Sequence, residues 1–165
     1  MKFSLVLSTQ AAQFQAVALK GDLATNVARI ASWGYQGVEL AIRDPKLVDG
    51  DALLGLVQSY GLSVPAIGTG QAWGEEHLSY TDPSSSVREA AITRTLEHIP
   101  FAARAGAVII IGLLRGIVRP ELAPDEAMQW LVDALRLCCH EAARHGVRIA
   151  LEPINRYETT LINDT

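Results

Sequence analysis

"ARHGVRIALE", Ala143–Glu152, sets a helical segment, a glycine and a short β-branched run in a row, and it ends on a carboxylate. Within the run, Val147, Ile149 and Leu151 alternate with Arg148, Ala150 and Glu152. A strand here is apolar on one face and small or charged on the other. The same phrase recurs as "ASWGYQGVELA" (31–41), "QSYGLSVPAIG" (58–68) and "ARAGAVIIIG" (103–112). Glycine most readily takes the left-handed position that ends a helix, so Gly34, Gly61, Gly106 and Gly146 read as four helix stops. Each leads into a strand, over 37–41, 63–67, 107–111 and 147–151, and residues 3–7 supply an earlier one.

The intervening segments have helical spacing. Leu23, Val27, Ile30 and Ala31 share a stripe in 22–33, as do Leu53, Leu54 and Val57 in 51–60. The helix of 86–105 opens with Ser86 and Glu89 at capping-box spacing, and Pro100 should kink it or mark its last regular turns. That of 123–145 starts with Pro124, Asp125 and Glu126, all favoured in a first turn. Leu131, Leu135, Cys138 and Ala142 form its apolar face.

Strands alternating with helices across short joints imply a parallel sheet with right-handed crossovers. A doubly wound sheet and a (β/α) barrel both satisfy this, and strand parity chooses between them. Val38 and Leu40 oppose Gly37, Glu39 and Ala41; Phe3, Leu5 and Leu7 oppose Ser4, Val6 and Ser8. An open doubly wound sheet is covered on both faces and should be apolar on both. A barrel has a narrow interior that opens at the C-terminal rim into the site. The chain therefore reads as α/β of the (β/α)8 TIM-barrel kind, with residues 1–165 a single domain of about five strand–helix units. "AVIIIG" is apolar on both faces and does not discriminate.

Of the 165 residues, 49% are hydrophobic and 19% charged, with net charge −4. That is a globular composition, and it lacks the clustered Lys/Arg footprint of a nucleic-acid binder. Cys138 and Cys139 are neighbours on a helix, pointing to different faces, so they read as reduced thiols and not as a bridge or a metal pair. The apolar run Phe3–Leu7 is shorter than the ~7–15 residues of a secretory h-region. The run from Ala105 to Leu114 is about half a membrane span. A soluble, cytoplasmic protein with no membrane or nucleic-acid partner is expected.

Glu152 stands at the C-terminal end of a strand, where barrels do their chemistry. Pro153 biases it toward extended backbone, which aims the carboxylate. Asn155, Arg156 and Glu158 follow on the same rim loop. Oxygen ligands at such a rim suit Mg²⁺ or Mn²⁺, or with histidine partners Co²⁺ or Zn²⁺. A solvated, salt-bridged surface loop fits the bare pattern equally well.

"GYQGVELA", "GAVIIIGLLRG" and especially "LEPINRYETTLINDT" resemble the sugar isomerase/epimerase superfamily of xylose-isomerase-like TIM barrels, and within it the ketose 3-epimerases of the tagatose/psicose type. The resemblance spans the chain and roughly the first five of the eight units of such barrels. It implies that Glu152 is a metal ligand that also moves the substrate proton. It implies that Glu158 hydrogen-bonds the sugar hydroxyls and that Glu39 is a rim carboxylate near the pocket, with a buried glutamate paired to a neighbouring base as the alternative for Glu39. Arg115 and Trp73 lie on rim loops, as substrate contacts or as loop structure. The implied reaction inverts C3 of a ketose. A divalent ion (Mn²⁺, Co²⁺ or Mg²⁺) polarises the carbonyl, one carboxylate removes a proton to give a cis-enediolate, and another returns one from the opposite side.

The resemblance also implies an aspartate, a histidine and a glutamate on later strands, beyond Thr165, completing the metal shell. His77, His98, His140 and His145 lie on loops or helices, and none is at the end of a strand. These residues are accordingly expected to be a fragment, inactive alone, with open edges at strands 1 and 5 that favour a homo-oligomer. Three other functions share the pattern. One is an aldose–ketose or hydroxypyruvate-type isomerase; another is an endonuclease IV-like nuclease, disfavoured by the acidic charge and few histidines. The third is a non-catalytic barrel remnant.

Overall fold

Five parallel strands lie side by side in the order in which the chain makes them. The computed structural model describes residues 1–11 and 17–164. The strands are β1 (Ser4–Ser8), β2 (Gly37–Ala41), β3 (Ala66–Gly68), β4 (Val108–Ile111) and β5 (Ile149–Leu151). The helices are α1 (Leu23–Ser32), α2 (Gly50–Ser59), α3 (Gly70–Glu76), α4 (Ser85–Ala105) and α5 (Pro124–Arg144), with short 3-10 turns at Pro45–Leu47 and Leu113–Arg115. A doubly wound sheet reverses at a switch point. Here every crossover steps the same way, as in the wall of a barrel.

The register shows how the two faces arise. Leu7, Leu40, Ile67, Ile109 and Ile149 form one row across the sheet, and Ser8, Ala41, Gly68, Ile110 and Ala150 form the next. The first four of the apolar row are fully buried, packed with Val27, Ile30, Leu53, Val57 and Leu131 from the helices. Each such side chain contributes ~1.5–3 kcal/mol relative to exposure. The second row, small except for Ile110, lies on the opposite face and leaves room there. Gly34, Gly61, Gly106 and Gly146 all have positive φ, between 67° and 83°, so each helix stop has the left-handed geometry its glycine permits.

Several boundaries differ from the sequence expectation. The third strand begins at Ala66 rather than residue 63, with a lone bridge at Ser63, because Pro65 has no N–H to give to a ladder. The fifth is shorter by two residues at its start. Helix α4 begins at Ser85 behind Ser84, without a side-chain cap bond; Ser86 lies inside it and makes no capping box. Pro100 sits within α4, which continues to Ala105. "GQAWGEE", expected to be loop, is helix α3, so Trp73 is helical. The outer edge of β1 is partly covered: Ser8 N donates to Leu19 O at 2.9 Å and Leu19 N to Val6 O at 3.3 Å. Among the described residues, strand β5 has a neighbour on one side only. No helix among the described residues is long and apolar enough to cross a membrane.

Candidate active site

The C-terminal ends of β2 to β5 surround a cavity of about 320 Å³ whose wall includes Glu39, Gly68, Gln71, Gly112, Glu152 and Glu158. Glu39 enters from β2 as the one polar side chain of that strand. Glu152 lies one residue past β5, yet its backbone still belongs to the sheet, since its N–H donates to Ile111 O at 3.1 Å. That bond and Pro153 fix the direction of the carboxylate.

Two glycines provide the space. A Cβ at Gly112 would lie 2.8 Å from Glu152 Oε2, and one at Gly68 would lie 3.5 Å from Glu39 Oε1. Burial raises the Glu39 pKa, and the charge of Glu152 raises it further. Neither carboxylate is paired with a cationic side chain among the described residues, and no Lys, Arg or His lines the cavity. Glu158 stands at the edge, where its carboxylate accepts from Asn155 Nδ2. Asn155 Oδ1 accepts in turn from Tyr157 N at 2.9 Å, a local turn that holds the loop.

Arg115 is elsewhere. It is fully buried and donates to the carbonyls of Gly112 (2.9 Å), Leu161 (3.2 Å), Ile162 (2.9 Å) and Ile111 (3.3 Å). Its guanidinium ties the rim turn of 113–115 to the loop of 159–162 by giving four of its N–H groups to backbone carbonyls. Burial lowers its pKa, and the nearby Glu152 charge opposes that. Of the histidines, His98 is buried in α4 and His145 pairs with Glu141 at 3.1 Å.

A divalent ion fits this donor set only in part. Carboxylate oxygens of the right hardness converge on the cavity, but no group of three His, Cys, Asp or Glu close enough to hold an ion exists among the described residues. Two features of the wall were missed from the sequence. Gly68 and Gly112 each follow a β-branched run directly, a signal that was present. Gln71 gave no signal, because the glycines around it masked α3.

The sequence pattern of the xylose isomerase-like TIM barrel family matches residues 27–165, and the chain belongs to that family. It is 29% identical over 140 residues to L-ribulose 3-epimerase of Methylomonas sp. (strain DH-1), covering 83% of this chain and 47% of the relative. The fold is similar to that of D-allulose 3-epimerase from Methylomonas sp. in complex with D-allulose, with TM-score 0.72 and 24% identity over 86% of this chain and 49% of that one. It is also similar to D-psicose 3-epimerase with D-tagatose from Clostridium cellulolyticum H10, with TM-score 0.75 and 17% identity over 99% of this chain and 56% of that one. The chain spans about half the length of the curated relative it matches.

Proposed function

We propose that the full protein is an isomerase that inverts C3 of a ketose, with Glu152 moving the proton on the carbon beside the carbonyl. One observation carries this reading: Glu39 and Glu152, both without a cationic partner among the described residues, meet in one cavity at the C-terminal end of a barrel wall. Proton transfer beside a carbonyl needs a base within hydrogen-bond reach, and Glu152 stands at the rim where a ligand in the cavity meets it. Removal of the proton leaves a planar carbon; return of a proton to its other face inverts the centre. Glu39, held in the wall on β2 with a pKa raised by burial and by Glu152, lies beside the sugar from the other side of the cavity. Glu158 accepts hydrogen bonds from hydroxyls at the edge. The absence of cations in the described wall favours an uncharged sugar.

A divalent cation, Mn²⁺, Co²⁺ or Mg²⁺, would polarise the carbonyl when bound. We assign Glu152 to it as a ligand and the rest of the shell to groups outside these residues. A homo-oligomer, in which the open edge of β5 is covered, belongs to the same proposal, and sedimentation tests it.

Incubating the full protein with free ketoses and each of these ions, then separating the products, tests the reading. The C3 epimer is expected. Formation of the aldose instead would favour the aldose–ketose isomerase, and cleavage of abasic DNA with no sugar product would favour the nuclease.

A further inference from the structure

Gln71, on α3, forms part of the cavity wall and is 1% exposed. Its amide is held in one orientation. Nε2 donates to Ser8 Oγ at 2.7 Å, and the Ser8 hydroxyl commits its own hydrogen to the carbonyl of Gln10 at 2.6 Å. With that hydrogen used, Ser8 Oγ can only accept from Gln71, so the nitrogen end of the amide must face it. The oxygen end is then the other one, and Oε1 is buried without a hydrogen-bond partner. Thr69, also fully buried in the same wall, shows the contrast: its hydroxyl donates to Ile110 O at 2.8 Å.

A buried acceptor left unpaired is costly, and native structures rarely keep one without a reason. Gln71 lines the same cavity as Glu39 and Glu152. An unpaired acceptor in that wall calls for a ligand with hydroxyl hydrogens to give. We propose that Gln71 Oε1 accepts a hydrogen bond from one hydroxyl of a polyhydroxyl ligand, so that Gln71 fixes the register of the carbon chain in the cavity. This rests on the ketose reading only in taking the ligand to be a sugar.

The test measures binding of a ketohexose, its series of monodeoxy analogues and the corresponding alditols to the full protein, to Gln71→Met and to Ser8→Ala. For wild type, loss of one particular hydroxyl is expected to weaken binding about tenfold. In Gln71→Met the same loss should change nothing. Ser8→Ala removes the hydroxyl that orients the amide and should shrink the tenfold loss without abolishing it. Equal penalties for every analogue in wild type and Gln71→Met would overturn the proposal and would mean that water satisfies Oε1. Should Gln71→Met not fold, the wild-type side-chain amide signal of Gln71 gives an independent reading: binding without a shift of that signal overturns the proposal. Alditols have the hydroxyls but no carbonyl, which separates the two claims. Ketoses epimerised without Gln71-dependent penalties would sink this inference alone. Alditols bound with such a penalty, while no ketose reacts, would sink the ketose reading alone. If neither binds, both fall.

Discussion

Glu39 and Glu152 face one cavity from strands β2 and β5, and the charge of Glu152 adds to burial in raising the Glu39 pKa. Burial is the larger cause. We therefore expect Glu152→Gln to lower the Glu39 pKa part of the way toward its usual 4.5 and not all of it. A ¹³C titration of the Glu39 carboxyl reads this directly. The linkage has a definite sign: a carboxyl whose pKa is higher in the fold binds its proton more tightly there, so Glu39 subtracts stability as pH rises past the unfolded value. Removing the Glu152 charge should relieve part of that loss.

The two glycines of the wall should not behave alike. A Cβ at Gly112 would lie 2.8 Å from the end of the Glu152 side chain, whereas one at Gly68 would sit at an ordinary 3.5 Å from Glu39. Gly112→Ala should fold and unfold in urea much as wild type does, because a flexible carboxylate can move aside. Its kcat/KM should drop about a hundredfold, since displacing a reacting group by an ångström costs that much. Gly68→Ala should stay within a few fold of wild type. Equal losses in the two variants would mean that the position of Glu152 does not matter.

Arg115→Met should lower the free energy of unfolding by roughly 2–4 kcal/mol, because the carbonyls of Leu161 and Ile162 lose a buried charged donor. Arg115→Lys should recover only part of this, as an ammonium lacks the planar fork that reaches four carbonyls. Denaturant unfolding of the three proteins measures it. Wild-type stability in Arg115→Met would show that the tie between the two rim loops is dispensable.

His98 is fully buried, and neither ring nitrogen has a partner. Burial, aided by Arg94 and opposed by Asp44, lowers its pKa to about 3. The unfolded chain takes up a proton near the ordinary value of 6.5 while the fold stays neutral. Stability from this group is therefore complete above about pH 6.5 and is lost as pH falls toward 3, by about 5 kcal/mol at most. His98→Leu should flatten the pH dependence of stability in that window and cost little at neutral pH. A slope unchanged in the variant would assign the acid sensitivity to other groups.

Much of this was legible in the sequence because the signals were local. Helix followed by glycine followed by β-branched residues is a phrase that physics reads one way: the glycine supplies the left-handed turn, and the alternation that follows divides the faces. Glu39 and Glu152 stood out as acids on the small-residue face of their strands. What was not legible depended on distant partners. Arg115 looked like any rim arginine until Leu161 and Ile162, far along the chain, supplied the carbonyls that bury it. Helix α3 was hidden because its glycines, weak helix formers on their own, are tolerated where Ala72 packs into the core. Pro65, which has no N–H to give to the ladder, shortened β3 from its start.

The central claim is that Glu152 removes a proton from carbon, and solvent isotope exchange measures that step most directly. With a ketose and the full protein in D₂O, ¹H NMR should show deuterium entering C3, and Glu152→Gln should slow this at least a hundredfold while the variant still binds the sugar. Exchange at C3 that proceeds equally fast in Glu152→Gln, or deuterium entering at a different carbon, would contradict the account.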